Sequence, residues 1–155
     1  MPMAKAGNLG VSMGVASPVS PDEEQAPRWK YDPGESPKIK HGWSQDKAGF
    51  VRRDKGLIGK CPKGMTNGEA ERLLNDGIPD SSVRGDAEHP GRVYVVHDGV
   101  LYRAVPTLAG VSYHGFPEDP KEFDRLDDDL QRRIWERAHS LGQEKALKTW
   151  LRQTW

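Results

Sequence analysis

Residues 92–105 read RVYVVHDGVLYRAV, and how this stretch folds decides the rest of the chain. Two runs of β-branched and aromatic residues enclose Asp98-Gly99. A two-residue type I′ turn requires such a pair, because both of its central residues take positive φ. The turn sets a register in which His97 faces Val100, Val96 faces Leu101, Val95 faces Tyr102, Tyr94 faces Arg103 and Val93 faces Ala104. Strand alternation then sorts the side chains onto two faces. The first holds Val93, Val95, His97, Val100, Tyr102 and Ala104; it is the more apolar and is expected to meet the core. The second holds Arg92, Tyr94, Val96, Leu101, Arg103 and Val105, a mixed set expected to be only partly covered.

Moving outward toward the C-terminus, Pro106 is expected to stop the second strand. After a turn near Ala109-Gly110, VSYHGF (111–116) alternates again, with Val111 and Tyr113 on one side and Ser112 and His114 on the other. A three-stranded antiparallel meander follows. Asp119, Pro120 and Glu122 then form a helix start, the first as N-cap and the second at N1. Phe123, Leu126, Leu130, Ile134 and Ala138 recur at steps of three or four, an amphipathic stripe over 120–140. Gly142 breaks the pattern, and Ala146, Leu147, Trp150 and Leu151 mark a further helix over 143–153. The Asp127-Asp128-Asp129 run reads as a solvated helix face, since consecutive helical carboxylates point about 100° apart and cannot converge on one ion.

Toward the N-terminus, the stretch 79–91 has loop composition. Before it, Thr66 and Glu69 stand at capping-box spacing and open a helix over 66–77, with Leu73, Leu74 and Ile78 on one side. GFVRR (49–53) and LIGK (57–60) flank Asp54-Lys55-Gly56 as a short hairpin. Residues 1–40 differ from all of this. They contain six of the twelve prolines and only Leu9, Trp29, Tyr31 and Ile39 as large apolar anchors. So few anchors cannot offset roughly 1–2 kcal/mol of backbone entropy per ordered residue. The expected fold is therefore α+β: a small antiparallel β-meander carrying two or three helices on its more apolar face, in a single domain over 41–155, behind a disordered Pro/Gly-rich leader over 1–40.

Composition narrows the function classes. The chain has 155 residues, with 23 Lys and Arg against 23 Asp and Glu. A zero formal charge argues against a nonspecific nucleic-acid coat. No run of roughly 18 apolar residues exists to span a membrane, and the opening residues lack the apolar core of a secretory signal, so a soluble cytoplasmic protein is expected. A single cysteine, Cys61, excludes an internal disulfide framework and a Cys-rich zinc site. Cys61 stands among Lys60 and Lys63, which would lower a thiol pKa, but a small buried hydrophobe is the ordinary reading of such a residue. The five histidines show no paired metal spacing, so no metal site and no cofactor are expected. Phosphate-loop, dinucleotide, nucleophile-elbow and EF-hand signatures are all absent.

Two constellations remain. His97, His114, Tyr94, Tyr113, Arg92 and Arg103 lie on or beside one predicted sheet. Metal-independent RNA cleavage needs a base, an acid and a cation, which two histidines and Arg103 would supply. Against this, the predicted register puts His97 and Arg103 on opposite faces. The second constellation is aromatic: Trp29 and Tyr31 in the leader, Trp135 one step off its helix stripe, and Trp155 at the C-terminus. Exposed aromatics of this kind mark partner surfaces. The sequence thus favours a cofactor-free interaction or regulatory module with a protein partner of unknown identity. A small ribonuclease of the bacterial-toxin kind, acting on RNA through His97, His114 and Arg103, is the alternative.

Overall fold

The computed structural model describes residues 28–33, 45, 47–53, 56–83 and 85–153. In chain order the elements are β1 (Lys30–Tyr31), β2 (Gly49–Arg53), β3 (Gly56–Lys60), α1 (Asn67–Asn75), β4 (Ile78–Pro79), β5 (Val93–His97), β6 (Val100–Leu108), β7 (Ser112–Pro117), α2 (Pro120–Phe123), α3 (Asp128–Ser140) and α4 (Glu144–Leu151). The architecture is α+β. The β5–β6 hairpin has the register read from the turn, from His97 opposite Val100 through to Val93 opposite Ala104. Asp98 and Gly99 take φ of 50° and 74°, as a type I′ turn demands. Gly99 is required twice over, because a Cβ there would lie 2.5 Å from the Ala146 methyl. Its amide donates to Gln143 Oε1 at 2.9 Å, which seats the turn on the start of α4.

The meander is extended at both edges. Five strands run in the order β1-β7-β6-β5-β4, with β1 parallel to β7 and the other pairings antiparallel. Residues 28–33, read from sequence as leader, therefore belong to the folded unit. Their anchors are specific. Asn75 Oδ1 accepts from the Arg28 and Trp29 amides at 2.7 and 2.8 Å, and its Nδ2 donates to the Trp29 carbonyl. Trp29 Nε1 donates to the Glu88 carbonyl at 2.7 Å, and the indole packs on Tyr113 with ring centroids 5.9 Å apart. One large buried aromatic with its polar atom satisfied holds a segment whose composition alone predicts none of this. At the other edge Pro79 sits where its missing N–H is harmless. Pro106 does not stop β6 either; the strand continues to Leu108 through an irregularity that leaves Thr107 unpaired between Pro106–Tyr113 and Leu108–Ser112.

Both faces of the sheet are covered, which corrects the expectation that all helices lie on the first. On that face Trp29, Leu74, Val93, Ala104 and Tyr113 form one buried cluster, and Ala48, Cys61, Val95 and Tyr102 another. The second face carries the larger core: Tyr94, Val96 and Leu101 beneath Phe123, Leu130, Ile134, Ala138, Leu147 and Trp150. The hairpin's mixed face reads as partly polar because of Arg92 and Arg103, yet its central residues are the bulky ones that the C-terminal helices bury. The separate β2–β3 ribbon brings Phe50 to 6.0 Å from the Trp150 ring, beside the second core.

Helix boundaries follow their caps. Thr66 Oγ1 accepts from the Glu69 amide, and Asp119 accepts from the Lys121 amide. The helix expected over 120–140 is two helices, because Asp127 accepts from the Leu130 amide and starts α3 afresh. Asp128 and Asp129 fall in its first turn, where the helix dipole favours acidic side chains.

Candidate functional site

The second face changes character beyond the helices. Arg103 on β6 pairs with Phe116 on β7, and the neighbouring pair is Val105 with His114. Arg103, Phe116 and His114 therefore share one face, with Arg103 and His114 diagonal to each other. Diagonal neighbours of this kind stand about 7–8 Å apart. The Arg103 guanidinium carbon lies 5.0 Å from the centre of the Phe116 ring, and the His114 ring lies 6.1 Å from it on its own strand. All three side chains are half-buried.

Just past the end of β7, Glu118 is 1% exposed. Its Oε2 lies 3.4 Å from Arg103 NH1 and accepts from the Tyr94 hydroxyl at 3.4 Å, while Oε1 accepts from the Asp119 amide at 3.0 Å. Burial raises the Glu118 pKa above its ordinary value, and the nearby Arg103 charge only partly opposes this. The Tyr94 phenol is pushed up to about 12, mainly by burial and then by the Glu118 charge. Arg103 Nε is buried with no acceptor among the described residues. The guanidinium is thus tethered by a long contact to one carboxylate and keeps a donor unspent.

His114 is held from behind. Thr107 Oγ1 donates to the Asp32 carbonyl at 2.7 Å and lies 2.8 Å from His114 Nδ1. A hydroxyl has one proton, and the carbonyl can only accept. Thr107 therefore accepts from His114, which places the ring proton of the neutral imidazole on Nδ1 and the lone pair on Nε2. A histidine with one nitrogen oriented by a third group and the other basic is the arrangement general-base chemistry uses.

The histidines expected to act together are separated. His97 lies on the first face, with Nε2 3.8 Å from Glu69 on α1 and 3.5 Å from Asp98. Its partner Val100 and the His114 partner Val105 are five positions apart on β6, roughly 16 Å at about 3.3 Å per residue. One phosphate cannot bridge that separation through the sheet. Tyr113 also faces away, and its hydroxyl donates to the Pro90 carbonyl at 2.6 Å. Glu118, Thr107 and Phe116 join the cluster although sequence reasoning does not single them out. Phe116 is visible in VSYHGF as the residue two after His114, on the same face by alternation.

Of the aromatics expected to meet a partner, Trp29 is buried and Tyr31 is half-buried against the same cluster. Trp135 is half-buried with its ring edge-on to Phe123 at 5.7 Å. Trp155 lies outside the described residues. Cys61 is buried, its thiol 3.6 Å from the Gly115 carbonyl, at a cavity of about 30 Å³ shared with Tyr31 and Tyr102. A wider groove of about 880 Å³ opens between the Asp98-Gly99 turn, Lys47 and α4. No group of three or more His, Cys, Asp or Glu side chains converges as a metal site among the described residues. No helix among them is long and apolar enough to cross a membrane. No family model, curated protein or solved structure matches the chain.

Proposed function

We propose that the chain is a small ribonuclease acting without a metal, whose site is the His114–Phe116–Arg103 strip with Glu118 beneath it. The observation that carries this reading is the pairing of a tautomer-fixed His114 with a diagonal Arg103 on the same sheet face. In the proposed step His114 Nε2 takes the proton of a ribose 2′-hydroxyl, and the 2′-oxygen attacks the adjacent phosphorus. The P–O5′ bond breaks, leaving a 2′,3′-cyclic phosphate. Water protonates the departing 5′-oxygen, because His97, the other candidate acid, stands on the far face of the sheet. The hydroxide so formed recovers the proton from His114. Arg103 opposes the charge of the phosphorane oxygens through the exposed part of its guanidinium and not through the buried Nε, the electrostatic role expected of such a cation. A cytoplasmic location belongs to the same reading.

Total RNA incubated with the pure protein in EDTA tests it. Cleavage with cyclic-phosphate ends is expected, falling at least about 100-fold in His114→Ala, the lower end of what a positioned base contributes. His97→Ala should leave the rate unchanged. Intact RNA, or equal rates for wild type and His114→Ala, would sink it. The protein-interaction reading would then stand on the β6–β7 turn, where Leu108 and Val111 are 59% and 53% exposed.

A further inference from the structure

We infer that Thr107 and the N-terminal strand β1 are positioning elements for His114: the imidazole keeps its Nδ1–H form because Thr107 is anchored on the Asp32 carbonyl. As a statement about catalysis this rests on the ribonuclease reading; as a statement about His114 it stands alone. Three independent features meet at Thr107. First, the residue occupies a bulge in β6, where the pairing slips between Pro106–Tyr113 and Leu108–Ser112. Alternation from Arg103 and Val105 puts Thr107 on the face of His114, and the bulge leaves it there without a ladder partner of its own. Pro106 contributes by having no N–H to give to the ladder. Second, the Thr107 hydroxyl sits between a carbonyl at 2.7 Å and an imidazole nitrogen at 2.8 Å, so its single proton fixes the direction of both bonds. Third, the carbonyl belongs to a segment distant in sequence that is itself pinned. The Asp32 amide donates to the Tyr113 carbonyl at 2.7 Å, and the Tyr31 amide donates to Glu71 Oε1 at 2.7 Å. Upstream, Asn75 clamps Arg28 and Trp29. Docking of residues 28–33 on the sheet edge is thereby connected to the protonation geometry of a side chain on the opposite side of the same strand pair.

The test uses the full chain labelled with ¹⁵N-histidine, with NMR above the imidazole pKa. Wild type is expected to show a protonated Nδ1 and an unprotonated Nε2 for His114. Thr107→Val should collapse this to an exchanging mixture, and Thr107→Ser should restore the single form. Asn75→Ala, which loosens β1 without touching β6, should move His114 toward the same mixture while His97 stays put. A wild-type His114 protonated on Nε2, or one indifferent to both Thr107→Val and Asn75→Ala, would overturn the inference. With RNA as substrate, Thr107→Val should cost about 10–100-fold in kcat/KM, the scale of other groups that orient a functional histidine, with Thr107→Ser near wild type. Should the wild type leave RNA intact, the ribonuclease reading falls alone, and the tautomer measurement still decides the role of Thr107.

Discussion

The two faces of one hairpin are built to different ends. The first is closed by unlike pieces drawn from the N-terminal half: the Trp29 indole, the Leu74 side of α1 and the segments around Ala48 and Cys61. The second is closed at one end by three successive helices and then gives way to Arg103, Phe116 and His114. The sheet is thus covered on both sides, and one end of its second face carries half-buried polar and aromatic side chains in place of the aliphatic core. The two tryptophans that flank these regions make the contrast measurable. Trp29 is fully buried with its Nε1 bonded, whereas Trp135 is half-buried and meets Phe123 by its edge. Trp29→Ala is expected to lower unfolding stability by about 3–5 kcal/mol, and Trp135→Ala by about 1–2 kcal/mol. Denaturant titrations of both variants check this. Equal losses would mean that β1 contributes no more to the fold than a helix rim.

A second contrast is electrostatic. On the first face the charged groups near the hairpin, such as His97 with Glu69, stay partly in water. On the second, Glu118 is taken out of it. Its folded pKa lies above the ordinary 4.5, with burial outweighing the Arg103 attraction. Between the unfolded and folded values the native state binds the extra proton, so stability falls as pH rises through that window and levels off above it. Glu118→Gln has no such proton. Relative to wild type it should gain stability as pH rises from about 4.5, with a slope of up to about 1.4 kcal/mol per pH unit inside the window. Urea midpoints of both proteins between pH 4 and 8 provide the measurement. A difference that is flat with pH, or tilts the other way, would show that Arg103 overcompensates the burial.

How far the sequence discloses this molecule depends on whether the deciding interaction is local. The Asp98-Gly99 turn is local chemistry, and the pairings it dictates are all present. The Thr66, Asp119 and Gly142 boundaries are local in the same sense. The role of β1 is not, because it depends on Asn75 and Glu71 reaching back 46 and 40 residues to backbone that carries no periodic signal. The face that carries the larger core is hidden for a related reason: the hairpin's own polarity points the helices to its more apolar side, whereas the C-terminal helices bury Tyr94, Val96 and Leu101 on the other. The site shows both limits. Alternation alone separates His97 from Arg103. Glu118 and Thr107 continue the alternation of His114 and Phe116 and of Arg103 and Val105, but a strand read as ending at Phe116 and another read as stopping at Pro106 leave both uncounted.

The smallest expected effects come from two phenols, one on each face. The Tyr113 hydroxyl donates to the Pro90 carbonyl at 2.6 Å in a buried setting, and the Tyr94 hydroxyl reaches Glu118 at 3.4 Å. A short bond to a carbonyl, once removed, leaves that carbonyl unsatisfied; a long bond to a carboxylate already held by an amide and a guanidinium removes little. Tyr113→Phe should therefore cost about 1–2 kcal/mol, and Tyr94→Phe less than about 1 kcal/mol at neutral pH. Tyr94→Phe has a further consequence that Tyr113→Phe lacks. Deleting a donor from the ionised Glu118 favours its protonated form, so the pH window of the wild type should move upward in this variant. If the two phenylalanine variants cost the same and the window stays in place, the Tyr94 contact is packing alone, and Glu118 is held by Arg103 and the Asp119 amide.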